Sequence, residues 1–489
     1  MLYINNQNRL SRTFSIYLCL ILLTGCAVGP NFKPPQVKVP ANWTGPAPDG
    51  QALPSKTAEK NLVDWWKVFN DPTLTSLVER AVGSNLDLKL AEARVRQARA
   101  ARGVAVSGIG PAVNASGSYE RSRSLGAAAT GNNQTESNQY QAGFDAIWEL
   151  DIFGGVRRGI EAADADLQAS IENRRDVLVT LTAEVALNYI ELRGFQQRID
   201  IAQQNLKSQE NSVDLTQQRF QTGFVSGLDV ANAEAQVATI SAEIPALEAS
   251  ARQSIHSLSV LLGMEPSSLV EELSTRAPIP GAPPTVPVGV PSDLLRRRPD
   301  IRLAEAQIHA STARIGVAEA DLYPQFTLSG SAVLQSRNPG PSFSWSNRIW
   351  SFGPSASLPI FDMGRIRSNI KLQETLNEED LITYQQTVLT ALKEVEDSLI
   401  ASNKEQERRD ALIKAVGFNQ KSVELSTALY VQGEADFLNV LEAQRSLYTT
   451  EDALASSTQT FSTQLVALYK ALGGGWIQTP DAVGTSPVR

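Results

Sequence analysis

The sequence predicts a mainly helical protein that also carries a small set of membrane-type β-strands. Three observations lead there. The chain repeats itself once, each repeat contains two short segments of strand-like alternation, and each then runs into a proline-free heptad stretch too long for a compact domain.

Composition narrows the function classes first. The chain has 489 residues, 42% hydrophobic and 20% charged, with a formal charge of −8. That is a folded protein, and its acidic balance argues against a nucleic-acid binder, which needs a basic face. Cysteine is confined to Cys19 and Cys26, and histidine to His256 and His309. A chain this poor in both offers no convergent metal or acid–base cluster, so no catalytic residue, metal ligand or cofactor is expected.

The N-terminus reads as an address. Arg9 and Arg12 precede an apolar run from Phe14 to Leu23, too short to span a bilayer and suited to a signal peptide over residues 1–25. Leu23-Thr24-Gly25-Cys26 resembles a bacterial lipobox, which implies cleavage before Cys26 and a covalent lipid on it. The alternative is an ordinary signal peptide with a chance cysteine. Ala27 follows where Asp would commonly signal inner-membrane retention, so the resemblance points to the outer membrane. No later stretch is apolar enough for a transmembrane helix, and any membrane crossing must use strands.

The repeat is legible as landmarks in order. Asp87-Leu-Lys-Leu-Ala-Glu-Ala93 recurs as Asp300-Ile-Arg-Leu-Ala-Glu-Ala306, and Pro111 and Gly117 recur as Pro324 and Gly330. With a small shift of register, Gly154 matches Gly364, Gly223 matches Gly433 and Leu262-Gly263 matches Leu472-Gly473. The expected organisation is a lipidated extended segment over 26–78, a first repeat over 79–263, a Pro/Gly-rich linker over 264–291, a second repeat over 292–473 and a tail over 474–489.

Each repeat begins with a helix, 73–105 and about 299–320. Strands are expected at 111–125 and 138–150, then at 324–336 and 348–360, where apolar and small polar residues alternate, as in Val113, Ala115, Gly117 and Tyr119 opposite Asn114, Ser116, Ser118 and Glu120. Trp148, Phe153, Trp345, Trp350, Phe352 and Phe361 sit at strand ends, as interfacial aromatics do, although a sandwich core would also use them. From Arg157 to about Thr222 a 4-3 seam runs through Leu167, Ile171, Leu178, Leu181, Val185, Leu192, Phe195, Ile199 and Leu206. Such a helix is about 100 Å long. A second spans Arg367 to about Tyr430, its seam interrupted by the polar run Ser402 to Arg409. Gly223 and Gly433 stop these helices, and return helices follow over 229–262 and 437–472.

Four strands with open edges cannot remain in lipid, so chains must associate until a sheet closes; two would give eight strands and three would give twelve. Strand arithmetic leaves that choice open.

Val28-Gly-Pro-Asn-Phe-Lys-Pro-Pro35, Trp148-Glu-Leu-Asp-Ile-Phe-Gly154, Leu358-Pro-Ile-Phe361, Leu441-Glu-Ala-Gln-Arg-Ser446 and Tyr469-Lys-Ala-Leu-Gly-Gly-Gly-Trp476 resemble the outer membrane factor family, specifically its OprM/NodT-type lipoproteins with the TolC-like fold. The resemblance implies a homotrimer with a twelve-stranded barrel, four strands per protomer, continued by a helical tunnel. It implies a periplasmic adaptor (membrane fusion) protein, an inner-membrane transporter of RND type, and a conduit in place of an enzyme. It also implies a periplasmic gate at Leu438, Glu442 and Arg445, where Glu442 replaces the usual Asp, and adaptor contact at the hairpin tips Thr222, Gly223, Phe224, Gln432, Gly433 and Glu434. The plainer readings are an i,i+3 surface pair of Glu442 with Arg445 and simple helix capping at the glycines. Type I protein secretion, metal-ion export and a non-porous coiled-coil scaffold remain competing functions.

Overall fold

The computed structural model describes residues 27–44, 62–125, 134–281, 289–337 and 344–476. The expected signal peptide and the lipobox Cys26 lie outside them. Helices α1 (Pro72–Ser84) and α2 (Leu86–Ser107) lead into strands β1 (Ala112–Leu125) and β2 (Gln134–Leu150). Helices α3 (Gly155–Gln221) and α4 (Gly227–Leu261) complete the first repeat. After α5 (Val270–Leu273) and α6 (Pro291–Arg297), the second repeat supplies α7 (Pro299–Ala320), β3 (Gln325–Ser336), β4 (Arg348–Ser357), α8 (Arg365–Gln432) and α9 (Phe437–Ala471).

The chain clusters into two compact units that cut across the repeats. One takes residues up to Gln36 with Val95–Ser170 and Leu303–Tyr384; the other takes Val37–Arg94, Ile171–Arg302 and Gln385 onward. Each unit therefore draws on residues of both repeats.

The first unit holds an antiparallel sheet in the order β1-β2-β3-β4. Its register explains the alternation. Tyr119 faces Tyr140, Ala115 faces Phe144 and Phe144 faces Ala332, while Trp148 faces Leu328 and Ala332 faces Trp350, so one face is apolar across all four strands. The opposite face pairs Asn114 with Asp145, Ser118 with Gln141, Asp145 with Ser331 and Ser331 with Ser351. Asn114 donates to Asp145 at 3.1 Å, and the Ser331 and Ser351 hydroxyls lie 2.8 Å apart. Phe144, Trp350 and Phe352 are exposed on the apolar face. A scaffold with a buried sheet would cover that face. β4 ends at Ser357, earlier than the expected 360; β2 starts at Gln134, before the expected 138.

Aspartates turn strand into helix at equivalent corners. Asp151 accepts from the backbone N–H groups of Val156 and Arg157, both at 3.0 Å, and Asp362 accepts from those of Gly364 and Ile366, both at 2.9 Å. The bond from Ile366 is the main cause holding the Asp362 carboxyl below the ordinary range. Its stabilising effect is complete above the unfolded-state pKa, about 4, and fades as pH falls through the lowered folded value. The segment after position 26 is strapped to this unit: buried Arg158 donates to the carbonyls of Val28 and Gly29 and to Asn31 Oδ1, and Phe32 stacks on His309 at 4.4 Å.

In the second unit the core gathers around Trp65, which is fully buried and stacks on Tyr469 at 5.3 Å. Leu74 and Leu77 of α1, Tyr189 and Ile190 of α3, Leu258 of α4 and Leu465 of α9 pack with it. Asp71 caps α1 through the Leu74 N–H at 2.9 Å and accepts the Tyr189 hydroxyl at 2.8 Å, joining a helix start to the core. The expected continuous helix over 73–105 is broken at Asn85, whose Oδ1 caps α2 through Leu88 N–H while its Nδ2 holds Leu261 O, each at 2.8 Å. The expected extended segment over 26–78 also ends early, since Trp65–Phe69 forms a 3-10 turn and α1 starts at Pro72. The linker over 264–291 contains α5. The tail expected from 474 begins as packed structure: Gly475 N–H donates to Leu62 O at 2.8 Å, and Trp476 is buried beneath Arg175. The polar run 402–409 does not interrupt α8, because Lys404–Glu407 and Glu405–Arg408 pair along its surface.

The two sheet faces make opposite demands on charge. Replacing Leu328 by Arg should cost about 2–4 kcal/mol if that face meets lipid, read as loss of the folded, heat-modifiable band in detergent, whereas Ser329→Arg on the opposite face should leave the band intact. Equal loss from both would contradict the two-faced sheet.

Candidate constriction and hairpin tips

Both hairpin tips are built the same way. The long helices α3 and α8 end at Gly223 and Gly433, each with φ of +78°, a conformation that costs a side-chain-bearing residue about 1–2 kcal/mol. Gly223 N–H reaches Phe220 O and Phe224 N–H reaches Arg219 O; Gly433 N–H reaches Tyr430 O and Glu434 N–H reaches Leu429 O. These are paired Schellman-type caps. Asp229 then closes the start of α4, its Oδ2 accepting the Ser226 backbone N–H at 3.0 Å and the Ser226 hydroxyl at 2.9 Å, the carboxylate half of a capping box. Thr222, Gly223, Phe224, Gln432, Gly433 and Glu434 are all exposed, and Phe224 is 76% exposed beside its capping glycine. Capping accounts for the glycines. It does not account for an exposed phenylalanine.

Helix α9 has two contrasting faces. Leu438, Glu442 and Arg445 fall on one exposed stripe, at i, i+4 and i+7. Phe437, Val440, Ala443, Gln444 and Tyr448 are buried behind it. Phe437 and Val440 join Tyr430 of α8 and Ala233 of α4 in a small apolar cluster. The Arg219 guanidinium lies 4.5 Å above the Tyr430 ring and donates to Tyr430 O at 2.6 Å, tying the ends of α3 and α8 together. Among the described residues, neither Glu442 nor Arg445 forms an ion pair within the chain. The i,i+3 surface pair is therefore not made.

Farther along α9, a row of polar contacts that heptad reasoning missed joins it to the first repeat. Gln444 donates to Ser212 Oγ of α3 at 3.1 Å, the Tyr448 hydroxyl donates to Glu243 of α4, and Arg198 of α3 grips Asp452 at 2.7 and 3.1 Å. Burial, then the Glu243 carboxylate, push the Tyr448 hydroxyl far above its ordinary range. The signal was present as three polar-tipped residues spaced by four. Among the described residues no group of three or more His, Cys, Asp and Glu side chains could hold a metal ion. No described helix is long and apolar enough to cross a membrane.

The family model for outer membrane efflux proteins matches this chain twice, over residues 77–264 and 290–474. Nodulation protein T of Rhizobium leguminosarum bv. trifolii is 36% identical over 458 residues, covering 93% of this chain and 96% of its own. The antibiotic efflux pump outer membrane protein ArpC of Pseudomonas putida is 32% identical over 469 residues, covering 95% of this chain and 96% of its own. The structure of the outer-membrane channel OprN superposes with a TM-score of 0.86 at 36% identity, covering 92% of this chain and all of that one. With the match falling once on each repeat and the fold shared over nearly the whole length, the chain belongs to the outer membrane efflux protein family, channels of the Gram-negative outer membrane and not enzymes.

Proposed function

We propose that three copies of this chain form the exit duct of a tripartite efflux system, passing drugs or other small molecules across the outer membrane. The observation that carries this reading is the two-faced sheet with β1 and β4 at its open edges. Closed into twelve strands, it sets its apolar face in lipid and lines a lumen with Asn114, Ser118, Gln141, Asp145, Ser331 and Ser351. The relative described as an antibiotic efflux pump outer membrane protein supports a drug-like cargo. Energy comes from an inner-membrane transporter of RND type, joined through a periplasmic adaptor protein at the exposed tips around Phe224 and Glu434.

The exposed stripe of α9 supplies the periplasmic gate. Three symmetry-related Leu438 side chains make an apolar ring, and three Glu442 carboxylates a negative one that favours cations. Arg445, which pairs with no acidic side chain among the described residues, holds a neighbouring copy. Cys26 carries covalent lipid. The strap from Val28 to Phe32, fixed by Arg158, holds the residues beside that anchor against the first unit.

In planar bilayers the Glu442→Ala/Arg445→Ala chain should conduct about threefold or more above the parent at the same voltage; parent-like conductance would remove the gate from these residues. A Cys26→Ala chain exported behind a cleavable signal should lose palmitate labelling while still forming pores. Retained label would place the lipid elsewhere.

A further inference from the structure

We infer that Arg121, Arg123 and Arg348 form a basic collar on the outward face of the barrel, just beyond its aromatic border, and that this collar binds the phosphate groups of a phosphorylated glycolipid in the outer leaflet. The inference rests on the proposed twelve-stranded closure, which sets this face in lipid and brings arginines of two copies together.

Register is the first argument. The apolar face runs through Tyr119 on β1, Tyr140 and Phe144 on β2, Ala332 on β3 and Trp350 on β4. Side chains alternate between faces along a strand, so Arg121 and Arg123 continue the face of Tyr119, Glu136 that of Tyr140, and Arg348 that of Trp350. The charged strand residues of the opposite, polar face are Glu120, Asp145 and Glu149. Every basic residue of the four strands therefore lies on the face turned to lipid, in a chain whose formal charge is −8.

Depth is the second. Each arginine stands on the loop side of the aromatic residue of its own strand, away from the helices. From Trp148 to Tyr140, β2 climbs about 27 Å along its axis, or about 20 Å along the membrane normal at the usual barrel tilt, which nearly fills an apolar band about 25 Å tall. Arg121 and Arg123 lie beyond Tyr119 by about 5 and 10 Å on the same scale, at the depth of lipid headgroups. The border is marked by polar tips as well. The Tyr119 and Tyr140 rings lie 4.7 Å apart, and the Tyr119 hydroxyl donates to Oδ1 of Asn138, the residue opposite Arg121, at 3.1 Å.

Availability is the third. All three arginines are exposed. Arg121 donates to Glu136 at 2.6 Å, which orients its guanidinium and leaves other N–H groups to donate. Arg348 donates to Trp345 O at 3.1 Å with its guanidinium 5.5 Å from the Trp345 ring centroid, and neither it nor Arg123 pairs with an acidic side chain among the described residues. Strands β1 and β4 are the open edges, so closure lays β4 of one copy beside β1 of the next. Arg348 of one chain then shares an outward surface with Arg121 and Arg123 of its neighbour. Planar guanidinium forks match phosphate oxygens, and the apolar face below them takes the acyl chains of the same lipid.

The test incubates full-length oligomer in mild detergent with bis-phosphorylated lipid A, repurifies it by size exclusion and quantifies the lipid carried with the protein. Arg121→Gln/Arg123→Gln/Arg348→Gln should carry at least about tenfold less than the parent, and the parent should show a similar loss with lipid A stripped of its phosphates. Lys393→Gln/Lys404→Gln/Arg408→Gln removes as much positive charge from the exposed surface of α8 and should bind like the parent. Equal retention by parent and collar variant, equal retention of the two lipids by the parent, or equal loss in the collar and α8 variants would each overturn the collar and leave the exit duct standing. A parent that elutes as a monomer would remove the closed barrel and the collar with it. Should the collar variant fail to assemble, retention by the parent is followed from about 0.05 to 0.5 M salt, where phosphate contacts predict a fall of at least about fivefold. Retention indifferent to salt would overturn the proposal.

Discussion

A backbone N–H or C=O left unpaired in hydrocarbon costs several kcal/mol, and a sheet that stops at β1 on one side and β4 on the other turns two rows of such groups outward. Much of what this chain does follows from that cost. The strands cannot serve as a membrane element inside one protomer, so the barrel must be completed by other copies. A barrel completed by copies has an axis, and the polar face carrying Asn114, Asp145, Ser331 and Ser351 is brought to that axis. The lumen is then a property of the assembly. No single chain needs a pocket, a cofactor or a catalytic group to make it.

The same logic gives α9 its two faces. A helix beside a lumen must present one stripe to the opening and pack the other. Leu438, Glu442 and Arg445 occupy the exposed stripe. Behind them, residues 437 and 440 pack by apolar contact, and 444, 448 and 452 pack by hydrogen bond and ion pair. Closing a pore by side chains is effective only if the helix carrying them is held still. Opening it requires that what holds the helix can be released.

Periodicity and punctuation carried much of this architecture in the sequence. The duplicated glycines were legible because one backbone geometry recurs: Gly154 and Gly364 have φ of +84° and +86°, and Gly263 and Gly473 have +68° and +70°. The strands were legible because a two-faced sheet forces a period of two. Breaks that depend on one side chain reaching a distant backbone were not. Asn85 divides an otherwise continuous helical pattern by bonding Leu261, which no local rule reveals. The stripe 438, 442 and 445 was found only through family resemblance, since exposed polar residues on a helix ordinarily mean solvent. The polar contacts of 444, 448 and 452 went unread because Gln, Tyr and Asp look like heptad defects until Ser212, Glu243 and Arg198 are seen opposite them. Burial of Trp476 beneath Arg175 was hidden for a similar reason: a glycine run reads as a tail when its contacts lie three hundred residues upstream.

The central claim is that the open sheet closes between copies. Native mass spectrometry of the full chain released from mild detergent measures this directly. The account predicts a single oligomer of three chains that falls to monomer only as the strands unfold. A folded, sheet-containing monomer stable in the same detergent would contradict it.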